Sequence, residues 1–479
     1  MMNYKVIKQV LGWVIGLEGA FMLLPLICAV IYREPCVKVF AICMAICIAI
    51  GSLMIISTPK NKAMYAKEGF VIVALSWILI SVFGALPFVI SGAVPDWSEA
   101  LFETVSGFST TGASVINDVE ALPKSLLFWR SFTHWIGGMG ILVFLVAVLP
   151  LSGGNNLYMI KAESPGPAVG KLVPKIRSMA KILYLMYMSL TVVEIIFLLA
   201  GGMDLFEALA ITFGTAGTGG FGVRNSGCAD YTTYQQVVIG VFMMLFGIDF
   251  SVYYLLLMRK FKEAFSSEEV RTYLGVIITA TIIISLNCMR LFSGAAEALK
   301  AVFFQVASII TTTGYSTCDF DRWPELSKTI LVVLMFIGAC AGSTGGGMKI
   351  SRILILLKSI VKEIKIAAHP QRTYKITMNG RMVSHEVIRA VNVYMGAYLV
   401  IFAISLLIIS IDNFDFTTNF TAVASAMNNI GPGLAKVGPM CNFSGYSTIP
   451  TLVLAFDMLI GRLEIFPIFV LFSPWTWKK

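Results

Sequence analysis

Residues 311–314, Thr311-Thr312-Thr313-Gly314, break an apolar stretch with a polar run that ends in glycine, and three other places do the same. They are Thr110-Thr111-Gly112, Thr218-Gly219-Gly220 and Asn428-Asn429-Ile430-Gly431. Non-helical backbone at membrane depth is tolerated only where it is buried in protein or lines a watery cavity. Four such interruptions point to one shared pore.

The membrane setting follows from composition. Hydrophobic residues make up 57% of the 479 and charged residues 13%, with a mean hydropathy of +0.82. That is more apolar side chain than a soluble surface accommodates. Apolar runs cover about 10–31, 37–57, 70–92, 126–151, 182–201, 236–258, 273–287, 329–341, 391–411 and 449–472. Several approach the roughly 20 residues that span a bilayer. They predict ten spanning helices, one of them broken. Only Lys5 and Lys8 precede the first run, and no small-residue cleavage site follows it, so a retained helix is expected rather than a signal peptide.

Charge sets the orientation. With the N-terminus inside, Lys plus Arg number 2 in 1–9, 3 in 58–69, 5 in 152–181, 4 in 259–271, 9 in 349–390 and 2 in 478–479, together 25 of 36. The positive-inside rule therefore places both termini in the cytoplasm. The net charge of +9 reads as topology. No soluble domain is large enough to carry a nucleic-acid surface, so no nucleic-acid partner is expected.

The nine cysteines are scattered, mostly in apolar runs, without a CxxC pair, and His134, His369 and His385 are the only histidines. Neither a zinc site nor a thiol enzyme fits, and the cysteines read as small hydrophobes. Cys228, Cys318 and Cys441 fall on the outer side, where a disulfide is feasible. Asp249, Asp457, Glu464 and His134 are too isolated to build an active site, so no enzyme is expected.

The glycines Gly112, Gly219, Gly314 and Gly431 lie 107, 95 and 117 residues apart. Each sits in a unit of apolar span, short helix, polar run and second span. Glu99-Ala100-Leu101, Glu207-Ala208-Leu209 and Glu297-Ala298-Leu299 recur in the short helices; Asp415 to Met427 keeps the length without the letters. The expected fold is an all-α integral membrane protein. Four pseudo-symmetric helix, re-entrant loop and helix repeats surround one pore, with two extra N-terminal transmembrane helices. The boundaries are 1–68 for those two helices, then 69–180, 181–270, 271–387 and 388–479 for repeats one to four.

A short helix that enters halfway aims the negative end of its dipole at the pore centre, which favours a cation. Glycine beyond it permits positive φ, so that successive carbonyls can turn inward and replace a hydration shell. Two decoys fail. Gly217 to Gly222 matches GxGxxG but has apolar helices where a dinucleotide site needs a βαβ unit. Gly342 to Lys349 resembles a phosphate loop, but its lysine does not directly follow the last glycine and no Ser or Thr comes after it. Ala339 to Gly347, with Gly342, Ser343, Thr344, Gly345, Gly346 and Gly347, should instead break the second helix of repeat three and leave a mobile gate beneath the third turn, where the plainer account is close packing through small residues. Arg462 lies in the last span, Leu452 to Leu471, where a cation needs a cavity or a partner. Facing the path, it forms a barrier. Its local alternatives are Glu464 and Asp457, its cross-pore candidate is Asp249, and His134 reads as interfacial.

These residues together resemble the membrane subunit of the Trk/Ktr/HKT potassium transporter superfamily, over nearly the whole chain. The resemblance rests on Ser109-Thr110-Thr111-Gly112-Ala113, Thr218-Gly219-Gly220-Phe221, Thr311-Thr312-Thr313-Gly314-Tyr315 and Asn429-Ile430-Gly431-Pro432-Gly433. His134-Trp135-Ile136-Gly137-Gly138-Met139-Gly140, Gly342 to Gly347 and Arg462 complete it. The two extra N-terminal spans match the Trk branch. The resemblance implies a selectivity filter of Thr110, Thr111, Gly112, Thr218, Gly219, Thr312, Thr313, Gly314, Asn429, Ile430 and Gly431. Ion ligands would come from Thr111, Gly112, Thr218, Gly219, Thr313, Gly314, Ile430 and Gly431. It further implies a gate at Gly342–Gly347 with Arg462, potassium as the transported ion, and no organic cofactor in this chain. A homodimer, a TrkA-like cytoplasmic RCK regulatory subunit binding NAD(H) or ATP/ADP, and a bacterial inner (plasma) membrane location are also implied. Serine at the first glycine position accompanies sodium transport in the superfamily; all four positions here are glycine. Gly217-Thr218 departs from the usual Ser-Thr pair, which bears on ligand geometry at the second turn. With few carbonyl layers, rubidium and some sodium should pass. A secondary symporter coupling potassium to protons or sodium is the alternative.

Overall fold

The computed structural model describes residues 2–56, 65–140 and 176–477. Lys60, Lys62, Lys478, Lys479 and most of the basic segment 152–181 lie outside the described residues, as does the end of the run 126–151. Helices α1 (Tyr4–Phe21), α2 (Leu23–Ile31) and α3 (Cys36–Ile55) open the chain. Apolar side chains cover α3 all round: Phe40, Cys43 and Cys47 face inward, whereas Ile42, Ile48 and Leu53 are exposed. That is the pattern of a helix in hydrocarbon. Lipid supplies no hydrophobic force to pair such helices, so small residues let the backbones approach. A Cβ on Gly51 would stand 2.8 Å from the Gly12 carbonyl oxygen and 2.8 Å from the Gly16 nitrogen.

Four units follow. The first holds α4 (Ala66–Ser91), α5 (Trp97–Phe108) and α6 (Lys124–Met139). The second holds α7 (Ile176–Ala200), α8 (Leu205–Gly217), α9 (Thr233–Phe246), α10 (Phe250–Leu257) and α11 (Phe261–Phe265). The third holds α12 (Glu268–Cys288), α13 (Ala295–Ile310), α14 (Glu325–Ile337) and α15 (Ile350–Ala368), with a hairpin pairing Thr377–Met378 to Arg381–Met382. The fourth holds α16 (His385–Ile409), α17 (Phe416–Asn428), α18 (Thr448–Leu463), α19 (Phe466–Phe472) and α20 (Pro474–Trp477).

The short helices α5, α8, α13 and α17 are 12, 13, 16 and 13 residues long. Asp96, Asp204 and Asp415 cap three of them by accepting from backbone N–H groups of the first turn, which suits an anion at a helix N-terminus. Hydrogen bonds from the Ser98 side chain and the Glu99 N–H hold the Asp96 carboxyl below the ordinary carboxylate range.

Packing closes a cycle. Each short helix touches both long spans of its own unit, and the second span of each unit packs on the short helix of the next: α6 on α8, α9 on α13, α14 on α17 and α18 on α5. The four units therefore surround one axis.

Among the described residues, six stretches are long and apolar enough to cross a bilayer, Tyr4–Ile31, Cys36–Ile55, Ala66–Ser91, Ala180–Ala200, Glu268–Leu291 and His385–Asp412. The chain is a multi-pass membrane protein. These six are the N-terminal pair and the first span of each unit. The second spans of the second, third and fourth units are interrupted, which corrects the expectation of a single broken helix. α9 and α10 meet at 90°, because Asp249 leaves the helix and caps α10 by accepting from the Ser251 N–H at 2.8 Å. α14 and α15 are separated by the glycine-rich loop. α18 ends where Glu464 and Ile465 adopt φ of 58° and 70°, and Pro467 restarts the chain as α19.

Replacing Gly51 by Leu should overpack the crossing of α1 and α3, costing about 1–3 kcal/mol, and lower the thermal midpoint of the detergent-solubilised protein. An unchanged midpoint would contradict the close approach.

Candidate functional site

The four short helices end alike. A left-handed residue closes each one, directly after α8 and α17 at Thr218 (φ 56°) and Asn429 (54°), and one residue further on after α5 and α13 at Thr110 (59°) and Thr312 (61°). The following N–H groups, of Thr111, Gly219, Thr313 and Ile430, donate back to the Ser106, Gly214, Ser308 and Ser425 carbonyls at 2.9, 2.8, 2.9 and 3.0 Å. This is a Schellman closure. Threonine is β-branched and disfavoured in that region, so three such residues mark sites where the surroundings impose the geometry.

One residue later the chain turns again at Gly112 (φ 80°), Gly220 (79°), Gly314 (85°) and Gly431 (102°). Aligning the turns this way corrects the sequence-based register in the second unit: the counterpart of Gly112, Gly314 and Gly431 is Gly220, and Gly219 corresponds to Thr111, Thr313 and Ile430. The reading went astray because Thr218-Gly219-Gly220 offers two glycines, and only backbone torsions separate them.

The four turns interlock head to tail. A Cβ on Gly112 would collide with the Gly219 carbonyl oxygen, one on Gly220 with that of Thr313, one on Gly314 with that of Ile430, and one on Gly431 would lie 2.9 Å from that of Thr111. Each turn thus presses a carbonyl against its neighbour's glycine, around a closed ring of four. All four glycines line one cavity of 280 Å³, bounded further by the segments that follow each turn.

Side chains from other elements hold the ring. His134, on α6, is fully buried. Its Nε2 accepts from the Phe221 N–H at 3.2 Å, so the proton sits on Nδ1, which donates to the Gly107 carbonyl at 2.7 Å. His134 ties the first short helix to the second turn and is not interfacial. Also buried, Arg130 pairs with Glu103 at 2.7 Å and covers the Phe221 ring at 4.0 Å. Tyr315 Oη donates to the Ile211 carbonyl at 3.0 Å, joining the third turn to the second unit. Asn429 Nδ2 donates to Thr111 Oγ1 and to the Met458 carbonyl, both at 2.9 Å, joining the fourth to the first.

The glycine-rich loop lies against the ring. The Gly346 N–H donates to Thr312 Oγ1 at 2.6 Å, and Gly345 and Gly346 pack beside the Thr311 and Asn428 carbonyls. Thr344 Oγ1 donates to the Phe246 carbonyl at 3.2 Å. Arg462 reaches from α18 to the Thr344 carbonyl at 3.0 Å, the Gly137 and Gly138 carbonyls, and Thr110 Oγ1 at 3.4 Å. The carboxylates weighed for it have other partners: Glu464 pairs with Arg352, Asp457 accepts from Ser405 at 2.8 Å, and Asp249 caps α10.

The TrkH family profile, described as a cation transport protein, matches residues 37–478. The chain belongs to the TrkH family. It is 36% identical to the Trk system potassium uptake protein TrkH of Escherichia coli K12 over the full length of both, and 32% identical to TrkG of the same strain over 100% of this chain and 99% of that protein. The crystal structure of the potassium transporter TrkH from Vibrio parahaemolyticus superposes with a TM-score of 0.89 at 30% identity, each chain fully covered. A family of transporters agrees with the expectation of no enzyme.

In this TrkH-family chain the eleven residues expected at a filter fall at the four turns, three of them, Gly112, Gly314 and Gly431, lining the cavity; of the glycine-rich loop, Gly345 and Gly346 touch the turns, whereas Gly342 lies beside Asp249 and Gly347 beside Gly338. His134, Arg130 and Glu103 were missed as supports. His134 sits in His134-Trp135-Ile136-Gly137-Gly138, where the two glycines signalled close packing: a Cβ on Gly137 would collide with the Phe108 carbonyl.

Gly220→Ala should cut radiolabelled rubidium flux into proteoliposomes by ~10-fold or more, since left-handed backbone alone costs an alanine about 1–2 kcal/mol before the Thr313 carbonyl is displaced. Gly222→Ala, whose Cβ would meet nothing nearer than 3.6 Å, should stay near wild type. Equal effects of the two would contradict the crowding of Gly220 against the Thr313 carbonyl.

Proposed function

We propose that this chain carries potassium ions through the axis of the glycine ring, across the inner membrane of a bacterium, with both termini in the cytoplasm. The observation that supports it is the closed cycle in which every turn sets a carbonyl against the next turn's glycine. Main-chain oxygens so spaced replace the water around an alkali ion, while four short-helix C-termini contribute roughly half an elementary negative charge each. The names of the relatives supply the ion: TrkH and TrkG are potassium uptake proteins. The units 69–180, 181–270, 271–387 and 388–479 act as quarters of this pore, and 1–68 stands outside it. In this reading Thr110, Thr111, Thr218, Thr312, Thr313, Asn429 and Ile430 line the filter with the glycines. A single fixed ring favours a pore over a symporter, which would rock two halves about a midplane site.

The loop Ala339–Gly347 and Arg462 are the gate in this proposal. The loop backbone and the guanidinium stand against the same turns that strip the ion, so passage needs both to move. A homodimer docked on a TrkA-like RCK ring, with NAD(H) or ATP/ADP on that ring, would control them from the cytoplasm. Residues 349–390 carry nine Lys and Arg against Glu363 and Glu386 alone, a charge balance that suits an acidic partner.

The test is rubidium and potassium flux into proteoliposomes, where wild type should show potassium-competed uptake. Deleting 339–347, or Arg462→Ala, should each raise it about fivefold or more, the low end of ordinary coupling energies. No movement of either ion under any nucleotide condition would overturn the function, and unchanged rates in both variants would overturn the gate. Neutralising Lys358, Lys362 and Lys365 together should weaken pull-down of the ring protein; undiminished capture would remove those lysines from the docking surface.

A further inference from the structure

The N-terminus of α12 lies beside the glycine-rich loop and supplies two carboxylates that the pore itself does not use. Glu269 is 8% exposed. Its Oε1 accepts from the Ala341 N–H at 2.6 Å, inside the loop, and from the Ser351 N–H at 3.2 Å, in the first turn of α15. One oxygen thereby bridges the two ends of the segment that must move. Between those ends a direct main-chain tie runs from the Ile350 N–H to the Ala339 carbonyl at 3.1 Å.

The neighbouring Glu268 faces the cytoplasmic elements. It pairs with Lys358 on α15, accepts from the Asn379 N–H at 3.0 Å, and donates its own N–H to Asn379 Oδ1 at 2.7 Å. Lys358 also donates to the Thr377 carbonyl at 2.7 Å. The dipeptide is therefore joined on one side to the loop and on the other to α15 and the hairpin.

We propose that Glu269 is the latch that holds the glycine-rich loop across the pore, and that Glu268 links this latch to the basic cytoplasmic segment. The role rests on the reading of 339–347 as a gate. The physical case is that one buried carboxyl oxygen accepts two backbone N–H groups, which would be left buried and unpartnered without it. The loop needs such a hold. Gly338, Gly342 and Gly347 have φ of 71°, 75° and 74°, and Lys349, not a glycine, has φ of 74°. The glycines adopt this geometry freely and leave the loop pliable, whereas at Lys349 it is strained and persists only when the surroundings over-determine it. Movement of α15 by a cytoplasmic partner would pull Lys358 and Ser351 together, so the ion pair and the latch bond would be disturbed in one step. Glu269 acts as a positioning residue and touches no ion.

The test measures rubidium flux into proteoliposomes without any regulatory partner, together with labelling of Cys340 by a maleimide, mapped by peptide mass. Cys340 is a buried thiol within the loop and reports its release directly. Glu269→Ala should raise flux ~10-fold, from the loss of two buried hydrogen bonds, and should accelerate Cys340 labelling. Glu269→Gln, which keeps an acceptor oxygen, should fall between it and wild type. Adding Glu269→Ala to the 339–347 deletion should raise flux no further than the deletion alone. Should Glu269→Ala not fold, Glu269→Gln carries the same comparison. Wild-type flux and labelling in both variants, while the deletion raises flux, would overturn the latch and leave the gate standing. If the deletion leaves flux unchanged, the gate reading falls, and Cys340 labelling alone decides whether Glu269 holds the loop.

Discussion

Everything in this structure depends on four places where a backbone carbonyl presses against a glycine Cα belonging to the next unit. Irregular backbone within a membrane protein must find polar partners or water, because lipid offers none. Here each turn satisfies its own N–H groups by closing back on its short helix, which leaves its carbonyls for the space between units. The approach is so close that a Cβ at Gly112, Gly220 or Gly314 would overlap the facing carbonyl oxygen. Glycine at those positions is a steric requirement of the assembly as well as a torsional one.

The supports follow from the same constraint. Because the ring is made of contacts between units, side chains that cross unit boundaries fix its dimensions: His134 and Arg130 from the first to the second, Tyr315 from the third to the second, Asn429 from the fourth to the first. Arg130 is affordable in the interior only because Glu103 meets it there; removing either would strand a buried charge. Arg462 instead spends its donors on carbonyls of the first and third units, Gly138 and Thr344 among them.

Much of this was legible in the sequence, and the limits are specific. The membrane setting, the fourfold count, the short helices and the glycine-rich break all came from hydropathy, spacing and the Thr-Gly pattern. The second turn was placed one residue early because Gly219-Gly220 gives no chemical reason to prefer either, whereas Ala113 and Tyr315 bracket the first and third turns. The breaks at Asp249 and Pro467 carried ordinary signals, a capping carboxylate and a helix restart. They were read through because the surrounding runs, 236–258 and 449–472, are predominantly apolar in spite of Asp249, Asp457, Arg462 and Glu464. His134 was misplaced for a different reason: nothing local distinguishes an interfacial histidine from one buried between two backbone groups, and its partners, Gly107 and Phe221, are 27 and 87 residues away.

Rubidium soaked into crystals of this protein gives an anomalous signal that locates the ion without reference to any assay. The expected peak lies on the axis of the ring, coordinated by main-chain oxygens from all four units near Gly112, Gly220, Gly314 and Gly431. A peak held by side chains of a single unit, or none at the ring while rubidium orders elsewhere in the membrane domain, would contradict it.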